Sequence, residues 1–186
     1  VDYAADQLVR IDPASGGVTP VGPLGVNVDI GLTLTRFDGR LYLADAGFGP
    51  LEPSLYTIDD NSGAATLVGP FVLPGQTVEF AEALTADAAG LLLVLDDVPG
   101  NSARSRRVAR VDGATGELTA LGLIPSAVAG DEDLDAAAFD PATGDIVGAD
   151  GVTAQARNLV RRVVPATGAL TEIGEFTAAN IDGYIN

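Results

Sequence analysis

Apolar and polar residues alternate along this chain in short runs broken by turns. Leu8-Val9-Arg10-Ile11, Leu55-Tyr56-Thr57-Ile58 and Val108-Ala109-Arg110-Val111 carry the period-two pattern of half-buried strands. Each run ends on the first residue of a twelve-residue phrase, which occurs four times. It reads IDPASGGVTPVG at Ile11–Gly22, IDDNSGAATLVG at Ile58–Gly69, VDGATGELTALG at Val111–Gly122 and VVPATGALTEIG at Val163–Gly174. Its Asp-x-x-(Ser/Thr)-Gly core is hairpin chemistry. The carboxylates of Asp12, Asp59 and Asp112 accept hydrogen bonds from N–H groups ahead of them, and the glycine takes positive φ without steric cost. In the fourth copy Val164 replaces the aspartate, so that turn is expected to lose the side-chain bond and lean on Pro165.

A second, more apolar pattern lies between the phrases: Asp29–Asp45, Phe80–Asp96 and Asp133–Asp150. In each a turn glycine (Gly39, Gly90, Gly144) precedes an aspartate (Asp45, Asp96, Asp150) by six residues. Leu91–Leu95 is apolar on both faces, as in strands buried between neighbouring sheets. One repeat therefore holds two hairpins, or four strands. The phrase glycines Gly16, Gly63, Gly116 and Gly168 are 47, 53 and 52 residues apart, and that period with this content predicts a β-propeller. The termini look complementary. Asp2–Asp6 aligns with Leu41–Asp45, and Ile181–Asn186 aligns loosely with the segment around Asp29–Leu32. The sequence thus predicts an all-β, four-bladed propeller closed by pairing of its N- and C-terminal strands. It would be a single domain over 1–186, with repeats at approximately 1–28 plus 177–186, 29–76, 77–128 and 129–176. Such closure would leave no exposed sheet edge. The alternative is a window cut from a larger propeller.

Composition narrows the chemistry. The chain has 186 residues, 47% of them hydrophobic, which suits one globular core. It lacks an apolar run near the ~20 residues of a membrane-spanning helix, so membrane insertion is not expected. Net charge is −16, and all ten basic residues are arginine. Such a surface repels polyanions, which argues against nucleic acid, and favours cations, basic partners or high salt. Both a halophilic origin and a GC-rich genome fit this bias. With no Cys, His or Lys, disulfides, thiolates, imidazole bases and Schiff bases are excluded. Catalysis would fall to Asp, Glu, Tyr, Ser, Thr or Arg, with or without a metal. The chain begins at Val1 rather than Met, and the expectation drawn is maturation with export to an extracellular or cell-surface location.

Two clusters carry candidate chemistry. The run Asp131-Glu132-Asp133-Leu134-Asp135 is the densest in carboxylates. Spaced oxygen donors suit Ca²⁺, although an EF-hand's glycine at position six and glutamate at position twelve are missing. Asp133 also occupies the place of Asp29 at the start of an innermost strand, as do Glu79 or Glu82 and Asp182. The candidate metal ligands are Asp29, Glu82, Asp131, Asp133, Asp135 and Asp182, with Ca²⁺ as the ion. The plainer reading is a set of solvated loops. The basic cluster Arg104, Arg106 and Arg107 is the candidate interaction site, meeting an acidic face of another copy. Its plainer reading is cross-strand salt bridges. Asp6, Asp45, Asp96, Asp97 and Asp150 end equivalent strands and read as turn caps.

The stretch Leu55-Tyr56-Thr57-Ile58-Asp59, Ser62-Gly63 and Thr66-Leu67-Val68-Gly69-Pro70 resembles the repeat of bacterial and archaeal extracellular β-propellers of the YncE-like and NHL-like kind. The resemblance spans almost the whole chain and rests on strand and turn residues, so it implies a fold rather than an activity. Some such propellers are lactonases or lyases with metal ligands at the channel; their histidines have no match here. The expected function is a non-enzymatic extracellular or cell-surface interaction module, binding proteins or further copies of itself. The alternatives are a metal-dependent hydrolase or lactonase with carboxylates at the channel, and a small-ligand or glycan binder.

Overall fold

Hairpin after hairpin, the chain builds antiparallel sheets in simple meanders. The computed structural model describes residues 1–28, 32–47, 52–98, 105–124, 134, 136–152 and 157–176. Strands β1 (Gln7–Ile11) and β2 (Val18–Pro23) form a two-stranded sheet. Then follow β3 (Thr33–Phe37), β4 (Arg40–Asp45), β5 (Ser54–Ile58) and β6 (Ala65–Pro70), paired in chain order. Strands β7 (Thr77–Asp87), β8 (Gly90–Val98), β9 (Ser105–Val111) and β10 (Leu118–Ile124) make the next sheet. Strands β11 (Ala136–Asp140), β12 (Asp145–Val152), β13 (Arg157–Val163) and β14 (Leu170–Phe176) make the last. The protein is all-β, and the first strand of the middle sheet, β7, packs against both β3 and β11. First strands gathered together with later strands fanning outward is a propeller-like arrangement.

Threonine hydroxyls join these inner strands. Leu84 N–H donates to Thr33 Oγ1 at 3.1 Å, and Phe139 N–H donates to Thr85 Oγ1 at 2.9 Å. Three apolar cores fill the spaces between consecutive sheets. One holds Leu8, Leu24, Leu43 and Ile58; the next Tyr42, Leu55, Leu93, Val111 and Leu118; the third Leu92, Val94, Val108, Ile146 and Val163. In each, the first residue of a phrase (Ile58, Val111, Val163) is buried against the sheet before it. Burying side chains of this size contributes about 1.5–3 kcal/mol each, so the sheets depend on one another.

The last two residues of the phrase have a structural task of their own. In all four hairpins the register slips at the penultimate residue: Val21, Val68, Leu121 and Ile173 are the extra residues of β-bulges. The glycine after the bulge then meets the turn of the following phrase. A Cβ at Gly22 would collide with the Ser62 carbonyl, one at Gly69 with the Thr115 carbonyl, and one at Gly122 with the Gly168 backbone. Only glycine allows this approach of backbone to backbone.

The described sheets do not close into a ring. The C-terminal strand assigned to closure, Ile181–Asn186 with Tyr184, lies outside the described residues.

Candidate functional site

The phrase aspartates do what their spacing predicts. Asp12 accepts from Ala14 N–H at 3.0 Å and from the Ser15 hydroxyl at 2.6 Å. Asp59 accepts from Asn61 and Ser62 N–H at 2.9 and 2.8 Å, and Asp112 from Ala114 N–H at 2.7 Å. Asp140 does the same for the hairpin between β11 and β12. The Ser15 hydroxyl lowers the pKa of Asp12, as the Ser62 N–H does for Asp59 and the Ala142 N–H for Asp140. The fourth turn keeps the shared backbone bonds without a carboxylate: Gly168 N–H donates to Val164 C=O at 2.8 Å, and Val164 N–H to Ala169 C=O at 3.0 Å.

The charged centre of the structure is on the middle sheet. Arg106 on β9 is buried, with Nη2 donating to Glu82 Oε1 at 2.7 Å and Nε to Asp96 Oδ1 at 3.1 Å. Asp96 and Arg106 are direct cross-strand partners. Glu82 reaches them because β7 bulges: Ala81 pairs with Leu95 and Ala83 with Val94, so Glu82 is the extra residue, and a second bulge falls at Glu79. β3 and β11 begin at Thr33 and Ala136, the counterparts of Ala83, and run without a register shift from there. Further out, Asp87 holds Arg110 through two bonds of 2.6 and 2.8 Å, and Arg110 in turn lowers the Asp87 pKa.

The predicted site residues are distributed as follows. Asp29, Asp131, Asp133, Asp135 and Asp182 of the candidate cation site lie outside the described residues. Glu82 lies within them and is engaged by Arg106. Among the described residues no group of three or more acidic side chains is placed to hold a metal. Of the basic cluster, Arg104 lies outside the described residues and Arg107 is half-buried. Arg106 is internal, so it is not a surface cation for a partner; two carboxylates from adjacent strands draw it in. The strand-end aspartates divide. Asp45 is buried and accepts from Gly47 N–H at 3.2 Å, a turn cap. Burial and then the Asp45 charge raise the Tyr56 pKa. Asp96 is an ion-pair residue instead. Asp6 has positive φ, and its carbonyl accepts from Leu24 N–H at 2.8 Å. Asp97 and Asp150 lie on described strands, with side chains outside the description.

The two ends of the sheet series form a further feature that sequence reading missed. Ile58, Val111 and Val163 are 6%, 4% and 0% exposed, whereas their counterpart in the first phrase, Ile11, is 62% exposed. Its cross-strand partner Val18 is 61% exposed, against 4% for Leu118 at the same phrase position. At the other end, Val147, Ala149 and Val160 are half-buried, while Leu92, Val94 and Val108, which hold the same places one sheet earlier, are fully buried. Among the described residues no turn lies against Gly174: a Cβ there meets Val160 alone, at 3.9 Å. One end offers a phrase turn with its two apolar residues, and the other offers the surface on which such a turn sits. The signal lay in the phrase itself, since a residue buried in three copies needs a neighbour in the fourth.

Neither a family model nor a curated protein matches the chain. Among solved structures, it is similar to the Pseudomonas aeruginosa periplasmic gluconolactonase PpgL, at 18% identity and a TM-score of 0.47. The match covers 86% of this chain and 46% of that one, so this chain spans about half the length of that protein.

Proposed function

We propose that this chain is a non-enzymatic interaction module of propeller type, extracellular or cell-surface, whose docking surfaces are the two end faces of its sheet series. One observation carries this reading: Ile11 at the first face is 62% exposed, while its three counterparts are at most 6% exposed. A fold that buries this position three times and leaves it open once presents a surface fit for a partner. On this reading the sheets are blades, and the N-terminal hairpin belongs to the fourth. The way charge is used supports it. Asp12 and Asp59 serve their own turns, and Glu82, Asp96 and Asp87 hold arginines, which makes these five poor candidates for a reacting centre. The test is turnover of an aldono-δ-lactone with Ca²⁺, Mg²⁺, Mn²⁺ or Zn²⁺. No turnover above buffer is expected. A cation-dependent rate that Glu82→Gln abolishes would return the chain to the hydrolase reading.

A further inference from the structure

We infer that the occupant of these two faces is a second copy of this chain, each copy seating its first-phrase turn on the last sheet of the other. This rests on the reading of the end faces as docking surfaces and names what docks there. The contact is written three times within the chain. Gly22 receives the Ser62-Gly63 turn, Gly69 the Thr115-Gly116 turn and Gly122 the Thr167-Gly168 turn. Each contact brings the phrase's first apolar residue into a buried core. Among the described residues two halves of the same contact remain. Gly174 follows its bulge as the other three glycines do, and no described residue lies within 4 Å of a Cβ built on Gly16, in the Ser15-Gly16 turn. The first turn has the chemistry of its counterparts: Asp12 caps it, and Gly16 has φ 69°, against 80°, 82° and 72° at Gly63, Gly116 and Gly168.

The described sheets do not close on one another, and their three interfaces are backbone-to-backbone contacts at glycine beside buried cores. A second copy supplies each open face with the half of that contact it lacks. Two copies joined at both faces form a closed two-fold assembly; one contact alone would propagate into a filament.

Because the chain has no cysteine, introduced cysteines report the contact directly. Leu123, the counterpart of Glu175, borders the Gly168 turn, so the pair to test is Ser15→Cys and Glu175→Cys. A mixture of the two single variants should oxidise to a covalent species containing one of each chain. Light scattering of the unmodified chain should give twice 18.8 kDa. Gly174→Val should leave the melting of the single chain unchanged, yet weaken dimerisation by at least about tenfold, because the new side chain stands where the turn must sit. Ile11→Asp should act the same way from the other face. A monomer at every concentration, with no bridge between chains, overturns the second copy. A Ser15→Cys/Glu175→Cys chain that bridges only within itself overturns the docking reading too, since the two faces then cover each other. Lactone turnover, measured separately, bears on the interaction reading alone.

Discussion

At the scale of the residue, the same amino acid type has opposite consequences according to what stands against it. Gly69→Ala should destabilise the fold by about 1–3 kcal/mol in urea unfolding, because the added carbon meets the Thr115 carbonyl and backbone must shift. Gly174→Ala should be near neutral in the same measurement, since among the described residues its carbon meets Val160 alone. Equal losses at both sites would contradict the one-sided contact. Arg106 is the other decisive residue. Replacing it with Leu removes the guanidinium that Glu82 and Asp96 share in a buried site, and a loss of about 3–5 kcal/mol is expected. The arginines are not interchangeable: Arg36, ion-paired with Asp60 but about half exposed, should cost well under about 1 kcal/mol on truncation.

At the scale of the element, hairpins depend on their turns in measurable ways. The Asp87 carboxylate is paired with Arg110 on the middle sheet, and its pKa lies below the ordinary value. A group depressed on folding contributes stability at pH above its unfolded pKa and loses it as pH falls through the folded value. The chain should therefore lose stability on acidification below about pH 4, and Asp87→Asn should flatten that part of the melting-temperature profile. The fourth phrase offers a gain. Its turn has the backbone bonds of the others without the carboxylate, so Val164→Asp should supply the missing acceptor. An increase of about 0.5–1 kcal/mol is expected, the net value of one hydrogen bond. Loss of stability there would mean that Val164 packs more than it frees. Strand register shows how local pattern misleads. Counting six residues from each turn glycine equates Asp45 with Asp96. Yet Gly39 lies within its turn, and Gly90 already pairs with Asp87 as the first residue of β8. The offset is one residue, and one residue turns a side chain to the opposite face of the sheet.

At the scale of the whole molecule, the net charge of −16 works against assembly. Two such chains repel at low ionic strength, and salt screens that repulsion over about 10 Å at 0.1 M. Dimerisation driven by Ile11, Val18 and the last sheet should therefore strengthen as salt rises from 0.05 to 0.5 M, read by light scattering. Association through a positive loop on an acidic face would weaken over the same range. The sign of the salt response thus separates apolar end-face mating from charge-driven contact.

The twelve-residue phrase by itself determined the hairpins, their capping aspartates and the recurrence of four-stranded units, because turn chemistry and period-two burial act over a few residues. It also contained, unread, the bulge and the contact glycine at its end, since what a glycine makes room for is a neighbour distant in sequence. Tertiary structure alone decided that Glu82 leaves its strand's register to join Asp96 around Arg106, a placement set by a bulge in β7. It also decided that Ile11 faces solvent while Ile58 does not. A recurring local pattern specifies the same kind of surface each time, and only the arrangement of sheets determines which copy lacks a neighbour to bury it.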